Sequence, residues 1–134
     1  MELYKKILLL LDRSDADKAI VEHVLSLAEM HTSQVFLCHI VHSHTLDQNR
    51  YLLGEAKSYL EEMKKTFASR HVPVEVIIGS GEPEKEILKE LDKADYDLVA
   101  MGTHGHSKFF DILYGSVSNC LKHSTSIPIL LIKA

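Results

Sequence analysis

Gly102-Thr103-His104-Gly105, nine residues, then Gly115-Ser116-Val117 form the stretch whose residue types and spacing could do chemistry. That chemistry is anion binding. Glycines at a strand end allow positive φ and let the backbone approach a ligand with no Cβ in the way. A Gly-Ser pair opening a helix offers free N–H groups, a hydroxyl and the positive end of a dipole. His104, His106 and Lys108 lie between the glycines and add positive character. Either glycine pair alone is ordinary turn or cap chemistry. Together, in a strand–loop–helix context, they predict a phosphate cradle made of two pieces.

The elements that must hold this cradle are legible along the chain. Lys5 to Leu11 is a nearly continuous apolar run, the mark of a central parallel strand covered on both faces. Ser14 or Asp15 can cap the helix that follows, in which Ala16, Ile20, Val24 and Leu27 recur at helical spacing. Val35 to Val41 reads as a second strand and His42 to Asn49 as a polar loop. From about Arg50 to Arg70 a long helix carries Leu53, Ala56, Leu60, Met63 and Phe67 on one stripe. Val72 to Ile78 is predicted as a third strand, at a sheet edge because of Pro73 and Glu75. Gly79-Ser80-Gly81 is predicted to turn the chain into a helix begun by Pro83, with Ile87, Leu88, Leu91 and Ala94 facing inward. Leu98 to Met101 leads into the glycine loop, Val117 to His123 is helical, and Ile129 to Ile132 is the last strand.

Five strands alternating with four helices predict an α/β domain spanning residues 1–134: an open, five-stranded parallel sheet with helices on both faces. Ligands of such sheets bind at the carboxyl ends of the strands, where the strand order reverses. If strands 1 and 4 flank that reversal, Asp12 and Gly102 meet at the crevice. Asp12 is then a partner for ribose hydroxyls, for adenine or for a metal rather than for phosphate; its other reading is a plain turn or cap residue.

Bulk properties narrow the partners. With 134 residues, 46% hydrophobic and 25% charged, the chain is long enough for a proper core. A net charge of −4 without a basic block disfavours nucleic acid. No signal peptide and no run of membrane-spanning length is read in the sequence, and Cys38 and Cys120, which lack metal-type spacing, read as reduced structural thiols of a cytoplasmic protein. His39, His42 and His44, among nine histidines, read as hydrogen-bonded or solvated side chains and not as a metal cluster. His104-Gly105-His106 superficially suggests the His-x-Gly-His of nucleotidyl-transferring enzymes, but that motif belongs after strand 1, where this chain has Asp12-Arg13-Ser14.

Taken together, these residues resemble a known family. The Gly102-x2-Gly105-x9-Gly115-Ser116 spacing is similar to the ATP-binding signature of the universal stress proteins. Leu9 to Ser14 resembles that family's first strand and Asp-x-Ser turn, and Leu98 to Thr103 and Ile127 to Ile132 resemble its fourth and fifth strands. The resemblance implies a Rossmann-like sheet of order 3-2-1-4-5 that binds ATP, ADP or AMP, with Mg²⁺ as a possible companion. It implies that Asp12 and the backbone near Leu10 meet the nucleoside, that Ile40 contacts adenine, and that Gly102 approaches the ribose. Thr103 and His104 belong to the same loop, and Gly105, Gly115, Ser116 and Val117 would hold the phosphates. His104 and His106 stand where arginine is common, which would make the charge of the loop depend on pH near neutrality.

A nucleotide-binding stress sensor or regulator is the leading reading. The alternatives are a weak ATPase or self-phosphorylating enzyme, and an interaction module with an empty pocket. The uncharged segment Ile127 to Ile132 falls at a sheet edge in the implied order. An unguarded apolar edge predicts a homodimer that pairs this strand with its copy.

Overall fold

The computed structural model describes residues 3–103 and 117–133. Strands β1 (Lys6–Leu10), β2 (Gln34–Val41), β3 (Val74–Ser80), β4 (Leu98–Thr103) and β5 (Ile129–Lys133) form one parallel sheet of order β3-β2-β1-β4-β5. Helices α1 (Ala16–His31), α2 (Leu46–Ala68) and α3 (Pro83–Lys93) connect them, and residues 117–124 form α4. The expected α/β architecture and strand order are therefore present.

The continuous apolar run of β1 splits by alternation. Ile7, Leu9 and Leu11 pack with Ile20, Val24, Leu60 and Phe67 of α1 and α2 on one face. Leu8 and Leu10 pack with Ile87, Leu91, Val117 and Leu121 of α3 and α4 on the other. Both faces are thus buried, which is why no polar alternation is visible in this strand.

Several element boundaries differ from the sequence expectation, each for a local reason. α2 starts at Leu46, about one turn before Arg50, because Thr45 caps it: its hydroxyl accepts the Gln48 amide at 3.0 Å, and Gln48 Oε1 accepts the His44 amide at 2.8 Å. β3 begins after Pro73, whose carbonyl accepts the Val35 amide at 2.9 Å, and it runs on through Gly79 and Ser80. The turn itself falls at Gly81, the one described glycine with positive φ (136°). β3 does lie at a sheet edge, as Pro73 and Glu75 suggest. Asp15 occupies the N-cap position of α1 without a side-chain cap; the turn is closed instead by Ser14, whose hydroxyl accepts the Ala16 amide at 3.3 Å.

Gly102 and Thr103 are the last two residues of β4, paired with Ile132 and Lys133, and not a loop beyond it. Gly102 does not have positive φ. Its missing side chain serves a different approach: a Cβ there would stand 2.7 Å from the Ala16 carbonyl oxygen and 3.0 Å from Ala16 Cβ. The start of α1 can rest against the end of β4 only because position 102 is glycine. Gly102→Ala is expected to cost roughly 1–3 kcal/mol, since rigid backbone must move, and to lower the melting temperature measured by calorimetry.

Candidate functional site

At the carboxyl ends of β1, β2 and β4, on either side of the point where the strand order reverses, lies a cavity. β1 and the turn after it contribute Leu10, Leu11 and Asp12; β2 contributes Cys38, His39 and Ile40; β4 contributes Met101 and Gly102. Asp17 of α1, Pro83 and Ile87 of α3, and Val117 of α4 complete the lining. Five of the ten residues expected in a site, Leu10, Asp12, Ile40, Gly102 and Val117, thus surround one space. Thr103 follows Gly102 at the end of β4 and is not part of the lining. His104, Gly105, Gly115 and Ser116 lie outside the described residues.

The turn after β1 is held by an ordered set of hydrogen bonds. The Leu11 amide continues the ladder to Cys38 O at 2.9 Å. Asp12 Oδ1 accepts the Ser14 amide at 2.9 Å, an Asx turn. Asp17 Oδ1 accepts the Asp12 amide at 3.2 Å, and Asp17 Oδ2 accepts the Arg13 amide at 2.8 Å and the Tyr59 hydroxyl at 2.6 Å. Arg13 sits at φ 66°, a left-handed conformation that a non-glycine residue adopts only when its surroundings enforce it. Its guanidinium lies 3.7 Å from Glu55 of α2.

His39 Nδ1 donates to the Leu11 carbonyl at 2.7 Å, which places the proton on Nδ1 and leaves Nε2 as an acceptor. Burial holds its pKa below the usual value. His42 donates from Nδ1 to the Gly81 carbonyl at 3.1 Å. Cys38 is buried in the wall of the cavity, and burial pushes its thiol up to about 12, so it is an inert lining residue. Among the described residues no cluster of three metal-ligating side chains occurs.

The cavity walls are mainly apolar: Leu10, Ile40, Ile87, Met101 and Val117 face a small number of polar groups at Asp12, Asp17 and His39. Such a space suits a flat, largely apolar ring carrying a few hydroxyls. The model of the universal stress protein family matches residues 3–133. The chain belongs to the universal stress protein family. It is 27% identical to universal stress protein MJ0577 of Methanocaldococcus jannaschii, over 98% of this chain and 96% of that protein. The solved structure of MJ0577 superimposes with a TM-score of 0.83 over 98% of this chain and 97% of that one, at 29% identity. A universal stress protein from Archaeoglobus fulgidus, solved in complex with dAMP, shares the fold with a TM-score of 0.74 at 20% identity, over 98% and 99% of the two chains. A family protein from Arabidopsis thaliana, At3g01520, solved with AMP bound, aligns over 96% of this chain and 91% of that one with a TM-score of 0.70 at 20% identity.

Asp17 is the residue that sequence reasoning passed over. It is 3% exposed, on the stripe of α1 that also carries Ile20, Val21 and Val24. An acid at an inward position of an amphipathic helix was the available signal. Burial pushes its carboxyl up to about 7; the Tyr59 hydroxyl and the Asp12 and Arg13 amides oppose this, and the Asp12 charge adds to it. The sign of the linkage follows. Between the ordinary value of 3.8 and about 7 the folded state binds more protons than the unfolded chain, so stability falls as pH rises through that window. Asp17→Asn is expected to lack this slope. In denaturant titrations its stability should gain on wild type by up to about 4 kcal/mol between pH 4 and pH 7.5.

Proposed function

We propose that this protein binds an adenine nucleotide, ATP with ADP or AMP as alternatives, and acts as a cytoplasmic sensor or regulator in a stress response. The observation that carries this reading is the convergence of Leu10, Asp12, Ile40, Gly102 and Val117 on one mainly apolar cavity at the topological switch point. Family membership supports it, as do the dAMP and AMP seen in related structures. In this reading Ile40 packs on the adenine and Asp12 accepts the ribose hydroxyls, with Gly102 beside the sugar. The motif Gly102-x2-Gly105-x9-Gly115-Ser116 supplies backbone amides to the phosphates, together with Thr103, His104 and Val117 at its margins. Mg²⁺, when present, travels with the phosphates. The chain acts as one nucleotide-binding domain over residues 1–134, and as a binder more than a catalyst.

Mass spectrometry of small molecules released by denaturing the purified protein should find an adenine nucleotide, and added ATP should raise the melting temperature. ATP should be recovered intact in a one-to-one ratio after long incubation. Asp12→Ala is expected to weaken ATP binding about tenfold or more, the worth of hydrogen bonds to a charged acceptor. Absence of bound nucleotide together with no thermal shift at millimolar ATP would contradict the reading.

The edge strand β5 extends the proposal to a homodimer. Leu131 is 39% exposed there, and Ile129, Leu130 and Ile132 are half-buried. Two copies pairing β5 across a two-fold axis would cover this edge. Light scattering at micromolar concentration should give the dimer mass. Leu131→Lys should give the monomer and leave ATP binding in place.

A further inference from the structure

The nucleotide reading leaves one buried group of the cavity without a role. Asp17 is almost fully buried, lines the cavity, and accepts from two backbone amides and a phenol. Stability alone does not account for it, because an ionised carboxylate on the apolar stripe of α1 is costly to desolvate. What it does is geometric. From the first turn of α1 it reaches back to the amides of Asp12 and Arg13, the two residues that carry the chain out of β1. Arg13 is thereby held at φ 66°, and Asp12 is held in the Asx turn that orients its carboxylate. We infer that Asp17 is a positioning residue for the nucleoside: its ionised carboxylate locks the turn that presents Asp12 to the ribose, and protonating it loosens that turn and weakens nucleoside binding. The inference rests on the nucleotide reading and assigns a proton-linked control to the same site.

The direction follows from the donors. As a carboxylate, Asp17 accepts from all three partners. When protonated it must donate, and of the three only the Tyr59 hydroxyl can rotate to accept; both amides then face an uncharged acceptor. Hydrogen bonds to a charged acceptor are roughly twice as strong as those to a neutral one. Among the described residues, the charged and titratable groups beside Asp17 are Asp12, Arg13 and Asp15 in the turn, Tyr59 and Glu55 on α2, His39 on β2 and Lys18 on α1. Burial raises the Tyr59 phenol above its ordinary range and lowers His39 below its own. Of Asp17, Tyr59 and His39, Asp17 is the one that burial brings to the window around neutrality.

Adenosine is the suitable probe because it carries no titrating phosphate. Backbone amide NMR spectra of the full chain, recorded from pH 5 to pH 9 with and without adenosine, read both the clamp and the affinity. The Asp12 and Arg13 amides of the wild type should titrate together near neutrality, and adenosine should move their midpoint to lower pH. A tenfold preference for the ionised form appears as about fivefold tighter adenosine binding at pH 8 than at pH 6. Asp17→Asn should bind about tenfold more weakly at pH 8, with no pH dependence from this source. Tyr59→Phe removes a donor that favours the carboxylate and should move the midpoint to higher pH; it carries the test should Asp17→Asn not fold. Asp12 and Arg13 amides that do not titrate between pH 5 and pH 9, or an Asp17→Asn variant that binds adenosine with the wild-type affinity and pH profile, would overturn the inference. A wild type whose two amides titrate as described but which takes up neither adenosine nor ATP at millimolar ligand overturns the nucleotide reading itself, and this role with it.

Discussion

Where the chain leaves β1, its amides run out of strand partners. Buried backbone donors must be satisfied, and three successive ones meet the need in different ways. Leu11 borrows one more rung from β2 through Cys38 O, and the next two amides, Asp12 and Arg13, are taken up by Asp17. That second solution ties the exit of the central strand to the first turn of α1. It also forces Arg13 into a left-handed conformation and swings Asp12 toward the crevice between β1 and β4. The cavity is a consequence of this join. A helix start that fell two residues later would leave the amides without an acceptor and Asp12 without a fixed direction.

The same join sets what β4 can be. Because α1 begins so close to the sheet, its first residue, Ala16, rests on Gly102, and no larger residue fits there without moving backbone. The glycine at the strand end and the acid in the helix are therefore two halves of one packing arrangement. Gly102 lets α1 approach β4, and Asp17 then reaches the turn from that position. Tyr59 brings α2 into the arrangement through its hydroxyl, so three elements meet at one carboxylate.

This explains which features were legible in the sequence and which were not. The central strand, the helix stripes and the parallel sheet with helices on both faces follow from hydrophobic periodicity and from the alternation of strands with helices, both of which are local signals, while the strand order came through the family resemblance. Asp12 and Gly102 were legible as neighbours because the reversal of strand order sends the ends of β1 and β4 to one crevice, whereas Ile40 entered through the family resemblance. The reason for Gly102 was not legible, since its neighbour Ala16 is distant in sequence and the close approach is a tertiary fact. Asp17 was missed because its partners lie on a turn and on another helix, and an acid in a first helical turn passes for dipole chemistry. The early start of α2 was within reach, because Thr45 and Gln48 stand at capping-box spacing; the polar composition of 42–49 concealed it.

Two carboxylates beside one cavity also constrain how an anionic ligand can lie. Asp12 and Asp17 stand at the end of β1, while Ile40, Ile87, Met101 and Val117 provide the apolar walls. A phosphate placed against those carboxylates would meet like charge in a partly desolvated space, where such repulsion is far stronger than in water. Ribose hydroxyls placed there instead become donors to acceptors that already exist. In the nucleotide reading, the sugar must therefore face β1, the base must lie against β2, and the phosphates must run away along the end of β4 toward α4. The glycine motif lies along that path in the sequence, between Gly102 and Val117. In that reading the polarity of the nucleotide is set by where the acids are as much as by where the glycines are.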